Sequence, residues 1–165
     1  MKTYSLFIIK PGFADKTKEI FNILKENDIR IESALSSIIP KSQIEQHYAE
    51  HLGKPFYNTL VSYMTTGNVG GIIKFNPKCV IMIASSNIQE ETEEQFIERS
   101  RKVVKEILRP AIALKRENFF EYTEEEFKEI IATANGIHAS DSPQSAKREI
   151  ENFFGKCQKI SNREM

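Results

Sequence analysis

Between residues 135 and 150 the chain reads Asn-Gly-Ile-His-Ala-Ser-Asp-Ser-Pro-Gln-Ser-Ala-Lys-Arg-Glu-Ile, which sets one histidine, His138, directly before a strong helix start. Ser142 followed by Pro143 makes an N-cap and first-turn pair, because the hydroxyl accepts an orphan amide and proline lacks the donor that would go unpaired. The spacing predicts a helix over residues 142–154 with Ala146, Ile150, Phe153 and Phe154 as its inward stripe. Glu149 stands at the edge of that stripe, where a carboxylate is partly desolvated and can reach the residues just ahead of the helix, His138 among them. A histidine whose ring a carboxylate orients is a sensible nucleophile or general base. The bland reading is a loop histidine satisfied by hydrogen bonds, and this stretch alone leaves both open.

Lys10 is the second candidate. Residues 3–9 form a short apolar run ended by Lys10-Pro11-Gly12, which reads as a buried strand whose exit carries a cation. Such a lysine is either a solvated strand end or a group placed to meet phosphate.

Several elements must position these groups. Residues 15–26 form an amphipathic helix on Ile20, Phe21, Ile23 and Leu24, and residues 29–39 alternate as a half-buried strand. Ser42 is read as the cap of a short helix through His51 that Gly53 ends, and Pro55 as the opening of another through Met64, with Phe56, Leu60 and Tyr63 on one face. Residues 65–77, with Gly67, Gly70, Gly71 and Pro77, read as an irregular excursion or small hairpin that lacks a phosphate-loop pattern. Residues 79–84 are a continuous apolar strand. Residues 90–108 form the longest helix candidate, stopped by Pro110. Thr123 with Glu126 makes a capping box opening a helix whose inner face is Phe127, Ile130, Ile131 and Ala134. The acidic runs at 90–94 and 124–126 are solvated helix starts, and no side-chain spacing points to a metal site. This succession is an α+β pattern that fits an antiparallel sheet covered on one face by helices.

At 165 residues one domain with a full core is expected, residues 1–154, followed by a tail, 155–165. Lysine plus arginine and aspartate plus glutamate both number 23, so no global field exists to hold a nucleic acid or an anionic membrane. Any anionic ligand must be held by local groups. Cys79 and Cys157 match no zinc or redox spacing and read as free thiols in a reducing compartment. With no signal peptide and no run of membrane-spanning length, a soluble cytoplasmic protein is the expectation.

Three separated pieces then combine: Ile-Ile-Lys-Pro at 8–11, His-Tyr-Ala-Glu-His-Leu-Gly-Lys-Pro-Phe-Tyr at 47–57, and Asn-Gly-Ile-His-Ala-Ser-Asp-Ser from 135 with Ser-Ala-Lys-Arg-Glu-Ile after it. Together they resemble the nucleoside diphosphate kinases, over most of the chain and closely in residues 3–66 and 135–154. The resemblance implies a ferredoxin-like, four-stranded antiparallel sheet covered by helices. It also implies ping-pong transfer, in which His138 takes the γ-phosphoryl group of a nucleoside triphosphate and hands it to a diphosphate. By similarity Glu149 hydrogen-bonds the ring, with Ser140 beside it. Lys10 binds phosphate and ribose hydroxyl, Tyr48 bounds the phosphate pocket, Asn135 contacts the sugar and Phe56 stacks on the base. Stacking is worth about 1–3 kcal/mol and tolerates any base. Mg²⁺ would arrive with the nucleotide, which accounts for the lack of a carboxylate cage. A homo-oligomer, hexamer or tetramer, assembled from dimers is implied as well.

The chain departs from the family pattern in places. Gly12 follows Lys-Pro where the family usually has Asp. The Thr-Ile-Arg-Gly-Asp-like loop that carries a phosphate-clamping arginine is absent. Arg101 is read as the counterpart of the family's helix arginine, with Lys102 as the alternative register, and Arg116 or Lys115 as substitutes for the loop arginine. Residues 68–77 and 119–134 read as insertions. A degenerate nucleotide-binding or interaction module, or a phosphocarrier served by another kinase, are the competing readings.

Overall fold

The computed structural model describes residues 3–155. The tail expected beyond residue 154, Cys157 with it, lies outside the described residues apart from Gly155. At the centre is a four-stranded sheet in the order β2 (Ile29–Ser37), β5 (Cys79–Ser86), β1 (Tyr4–Ile9), β6 (Ile137–Ala139). Every neighbouring pair is antiparallel. Thus β1 and β2 run parallel on either side of β5, and β5 and β6 run parallel on either side of β1, each joined by a helical crossover. This is the ferredoxin-like α+β arrangement.

Consecutive residues of β1 from Ser5 and of β5 through Ser85 are buried, which in a pleated strand means that both faces are covered. The expectation of helices on one face only is corrected accordingly. Helix α1 (Thr17–Glu26) packs on β2, while α4 (Glu93–Val103) and α7 (Pro143–Phe154) pack on β1. Helices α2 (Lys41–His47) and α3 (Tyr57–Thr66) pack on each other, and α2 meets α7. The excursion after α3 is a small hairpin, β3 (Asn68–Val69) with β4 (Ile73–Lys74). Cys79 is a buried free thiol in β5.

Several boundaries differ from expectation for identifiable reasons. Helix α2 begins at Lys41 with Pro40 at its N-cap and no side-chain cap, so Ser42 lies inside it, and the helical path breaks at Tyr48 before a short turn, Ala49–His51. The longest helix does not stop at Pro110. After Val103 it widens into a π-helical segment, Val104–Leu108, and resumes as α5 (Arg109–Ile112). The Arg109 amide donates to the Val104 carbonyl five residues back. A proline in a continuing helix has no amide to donate and crowds the carbonyl of the preceding turn; the wider π turn relieves that crowding. Helix α6 (Glu124–Thr133) opens on the Thr123–Glu126 capping box as expected. Its inner face, however, takes Thr133 and leaves Ile131 exposed.

Candidate active site

His138 lies on a strand. Its Cα pairs with that of Ile8, and the flanking residues Ile137 and Ala139 pair with Ile9 and Phe7, so the hydrogen-bonded ladder fixes the backbone beneath the ring. Gly136 enters this strand at φ +102°, and its carbonyl accepts from the Lys10 amide at 2.9 Å. The positive φ favours glycine, and a Cβ there would sit 2.8 Å from Ile112 Cδ1 and displace the end of that side chain.

Helix α7 supplies the orienting carboxylate. Its N-cap Ser142 hydroxyl accepts from the Ser145 amide at 3.0 Å, which sets the start of the helix. Glu149, 5% exposed, then points back at the strand, with Oε1 3.0 Å from His138 Nε2. The Ser140 hydroxyl donates to the same oxygen at 2.7 Å and accepts from the Leu6 amide at 3.0 Å, so the carboxylate is tied to β1. A carboxylate facing Nε2 makes that nitrogen the protonated one. Nδ1 then keeps its lone pair.

Lys10 is the buried cation of the site. Its Nζ donates to Asn135 Oδ1 at 2.8 Å, and the Tyr63 hydroxyl donates to the Pro11 carbonyl at 2.5 Å, pinning the turn after it. Burial, reinforced by the Arg109 guanidinium, lowers the Lys10 pKa to about 8. The Tyr48 hydroxyl is buried beside it, and that burial pushes its pKa well up, so it stays a neutral donor.

His138 and Glu149 open onto a cleft of about 670 Å³ whose cationic lining is Arg101, Lys102, Lys105, Arg109 and Arg148. A smaller depression of about 370 Å³, lined by Lys10, Phe56, Leu60, Thr133 and Asn135, adjoins it through Tyr48, which lines both. Phe56 is 45% exposed there, with the Lys54 ammonium 5.9 Å from its ring centroid and the His51 ring edge-on at 5.3 Å. The fold therefore brings Tyr48, Arg101, His138 and Glu149 to the cleft, with Ser140 behind the carboxylate, and Lys10, Asn135 and Phe56 to the adjoining depression that Tyr48 shares.

Arg116 is not among the residues lining either space. Its two terminal nitrogens donate to the Phe119 and Tyr122 carbonyls at 2.6 and 2.7 Å, and its guanidinium lies over the Phe127 ring. Arg109 was not singled out in the sequence. The π segment turns it toward the cleft, where one terminal nitrogen donates to the Ile137 carbonyl at 3.1 Å and Nε is buried without a partner. The sequence signal for it is faint: a single extra residue in a helix followed by proline.

Among the described residues one group of metal-ligating side chains converges, His47, His138 and Glu149, with ligand atoms all within 4.8 Å of one another. Two imidazoles do not suit Mg²⁺, which takes oxygen ligands and retains water. For a nucleotide-borne Mg²⁺ the exposed carboxylate of Asp141 on the cleft wall is a fitting donor.

The sequence matches the family model described as nucleoside diphosphate kinase over residues 3–159. It is 30% identical over 162 residues to the nucleoside diphosphate kinase of Rickettsia canadensis, covering 95% of this chain and 96% of that one. Identity to the Listeria innocua enzyme of the same name is 30% over 149 residues, covering 89% and 85%. The fold is similar to crystal structures of nucleoside diphosphate kinase from Aquifex aeolicus, with TM-score 0.62, 21% identity and coverage of 93% and 96%. For the enzyme from Encephalitozoon cuniculi the values are 0.64, 18%, 94% and 90%. The family-model match over residues 3–159, with relatives 30% identical along most of the chain, places this chain in the nucleoside diphosphate kinase family.

Proposed function

We propose that the chain moves a γ-phosphoryl group from a nucleoside triphosphate to a nucleoside diphosphate by a ping-pong route through His138. The observation that carries this reading is the contact between His138 Nε2 and Glu149 Oε1 at 3.0 Å, which leaves Nδ1 as the nucleophile. Nδ1 attacks the γ-phosphorus, the N–P bond forms as the bond to the β-γ bridging oxygen breaks, and the nucleoside diphosphate leaves. The positive charge that develops on the ring is shared with Glu149 through the Nε2 proton. A terminal oxygen of the second diphosphate then attacks the same phosphorus and releases Nδ1. No net proton transfer is needed, so catalysis rests on positioning and charge neutralisation.

Arg109 and Lys10 supply that neutralisation, with Arg101 nearer the rim. Lys10 and Asn135 hold the sugar and phosphates between them, and Phe56 offers its face to the base. Mg²⁺ delivered with the nucleotide would offset phosphate charge, and Asp141 is one of the exposed carboxylates of the cleft, with Glu50, Glu98 and Glu106, that would hold it. Residues 1–154 form the catalytic domain, and the protein acts in the cytoplasm as a homo-oligomer built from dimers. Assembly is supported by the open edge of β2, where Leu35 is 46% exposed and Ile38, just beyond it, 56%. Incubation with γ-labelled triphosphate tests the reading: an acid-labile, alkali-stable label that a diphosphate removes is expected. An absence of label would leave only nucleotide binding.

A further inference from the structure

We propose that His47 Nδ1, His138 Nε2 and Glu149 form an inhibitory site for a nitrogen-preferring divalent transition metal, of which Zn²⁺ is the representative. This rests on the proposed use of His138 and adds a means of regulating it.

His47 takes no part in the transfer described above. Yet its ring is buried, set edge-on to that of His138 at 4.7 Å and packed against Phe153. Its Nδ1 has no hydrogen-bond partner and points at Glu149 Oε2 from 3.8 Å. Buried imidazole nitrogens are normally satisfied. This one is too far from the carboxylate for a hydrogen bond and at a distance an ion can bridge. Ligands of tetrahedral zinc lie about 2.0–2.2 Å from the metal, hence about 3.3 Å from each other. The pairs here stand at 3.0 and 3.8 Å, and all ligand atoms fall within 4.8 Å. Rotation of side chains closes such a set without moving the backbone. The cleft on which all three open provides entry and a fourth position. Lys10 and Arg148 oppose a cation here, which excludes weakly held hard ions and selects for strong metal–imidazole bonds.

The consequence for the nucleophile follows from the tautomer. A metal on Nε2 replaces the proton that Glu149 now accepts. The ring proton relocates to Nδ1 through solvent, a metal–nitrogen bond forms, and the lone pair that would attack phosphorus is gone. No redox partner or leaving group is involved.

Binding and inhibition can be read separately. Co²⁺ added to the nucleotide-free protein reports a tetrahedral site by intense visible absorption, whether or not the kinase reaction proceeds. The wild type is expected to show it. His47→Phe, which keeps a ring in the buried space, and Glu149→Gln, which keeps the carboxylate's shape, are each expected to lose it, so misfolding of one does not decide the matter. His51→Gln, which removes a half-buried histidine near Glu50, is expected to retain it. With Mg²⁺-nucleotide in excess, the Zn²⁺ concentration that halves each protein's own rate without Zn²⁺ should rise at least about tenfold in His47→Phe. Absence of the absorption in wild type, its persistence in both His47→Phe and Glu149→Gln, its loss in His51→Gln, or an unchanged half-inhibitory concentration in His47→Phe would overturn the proposal. A protein that binds Co²⁺ as expected but takes no phosphoryl label would instead contradict the kinase reading alone.

Discussion

The two walls of the cleft are built differently. One, β6 with α7, joins the histidine to its carboxylate through a strand ladder, a serine-capped helix and a three-way contact at Glu149. The other, α4 with the π segment and α5, holds its cations on a helix whose period changes midway. In the first wall the helix follows from local signals, and the direction of Glu149 follows from its position on it. In the second, one extra residue per turn rotates everything after it, so a basic residue faces the cleft or the solvent according to a register that composition does not reveal. Arg109 is on that helix and faces the cleft, whereas Arg116, seven residues on, lies past the helix end in a separate turn.

The contrast can be broken at its strongest point first. His138→Ala should abolish phosphoryl transfer while leaving the far-ultraviolet circular dichroism unchanged; measurable transfer would remove the histidine from the mechanism. Arg109→Ala should cut kcat/KM by about 10²–10³, the effect of deleting one preorganised charge donor, whereas Arg116→Ala should leave kcat/KM unaltered and lower Tm, since it removes two bonds to backbone carbonyls. Steady-state kinetics of the two variants side by side would reverse the assignment if Arg116 proved the more damaging. Glu149→Ala should slow transfer by about 10²-fold by releasing the ring from its tautomer.

The smallest effect is one of pH. The Lys10 pKa of about 8 in the folded protein lies below its ordinary 10.5. In the free enzyme its charge is lost as pH climbs through about 8, so kcat/KM for nucleotide should fall there, and Lys10→Met should remove that limb of the profile. The sign for stability is opposite. Below pH 8 the lysine is charged in both states and the folded state carries the full burial penalty. Between about 8 and 10.5 the unfolded chain binds the extra proton, so stability rises with pH by up to about 3 kcal/mol. Chemical denaturation across that range measures it.

What could be read in the sequence divides along the same line. Ser142-Pro143, the Thr123–Glu126 box and the Lys-Pro-Gly strand exit act within one turn of chain, and the structure has each in place. The partnership of His138 with Glu149 was visible because both lie close together around one helix start. That His138 sits on a strand was not visible, because a three-residue edge strand owes its existence to β1, more than 100 residues away in sequence. Helix ends fared worse where tertiary contacts decide them. Pro110 reads as a stop only if the helix keeps its α period, and α6 turns Thr133 rather than Ile131 inward because α3 and β3 pack on it. His47 opens one of the three recognised pieces, but its unpartnered nitrogen could not be read there, since it exists only once α2 and α7 meet.

The central claim concerns a single nitrogen. NMR of the phosphorylated protein, labelled with heavy nitrogen at histidine, distinguishes the two ring positions by their couplings to phosphorus and to the ring protons. The phosphoryl group is expected on Nδ1 of His138, with the Nε2 proton retained against Glu149. A phosphoryl group on Nε2, or on any other residue, would contradict the account.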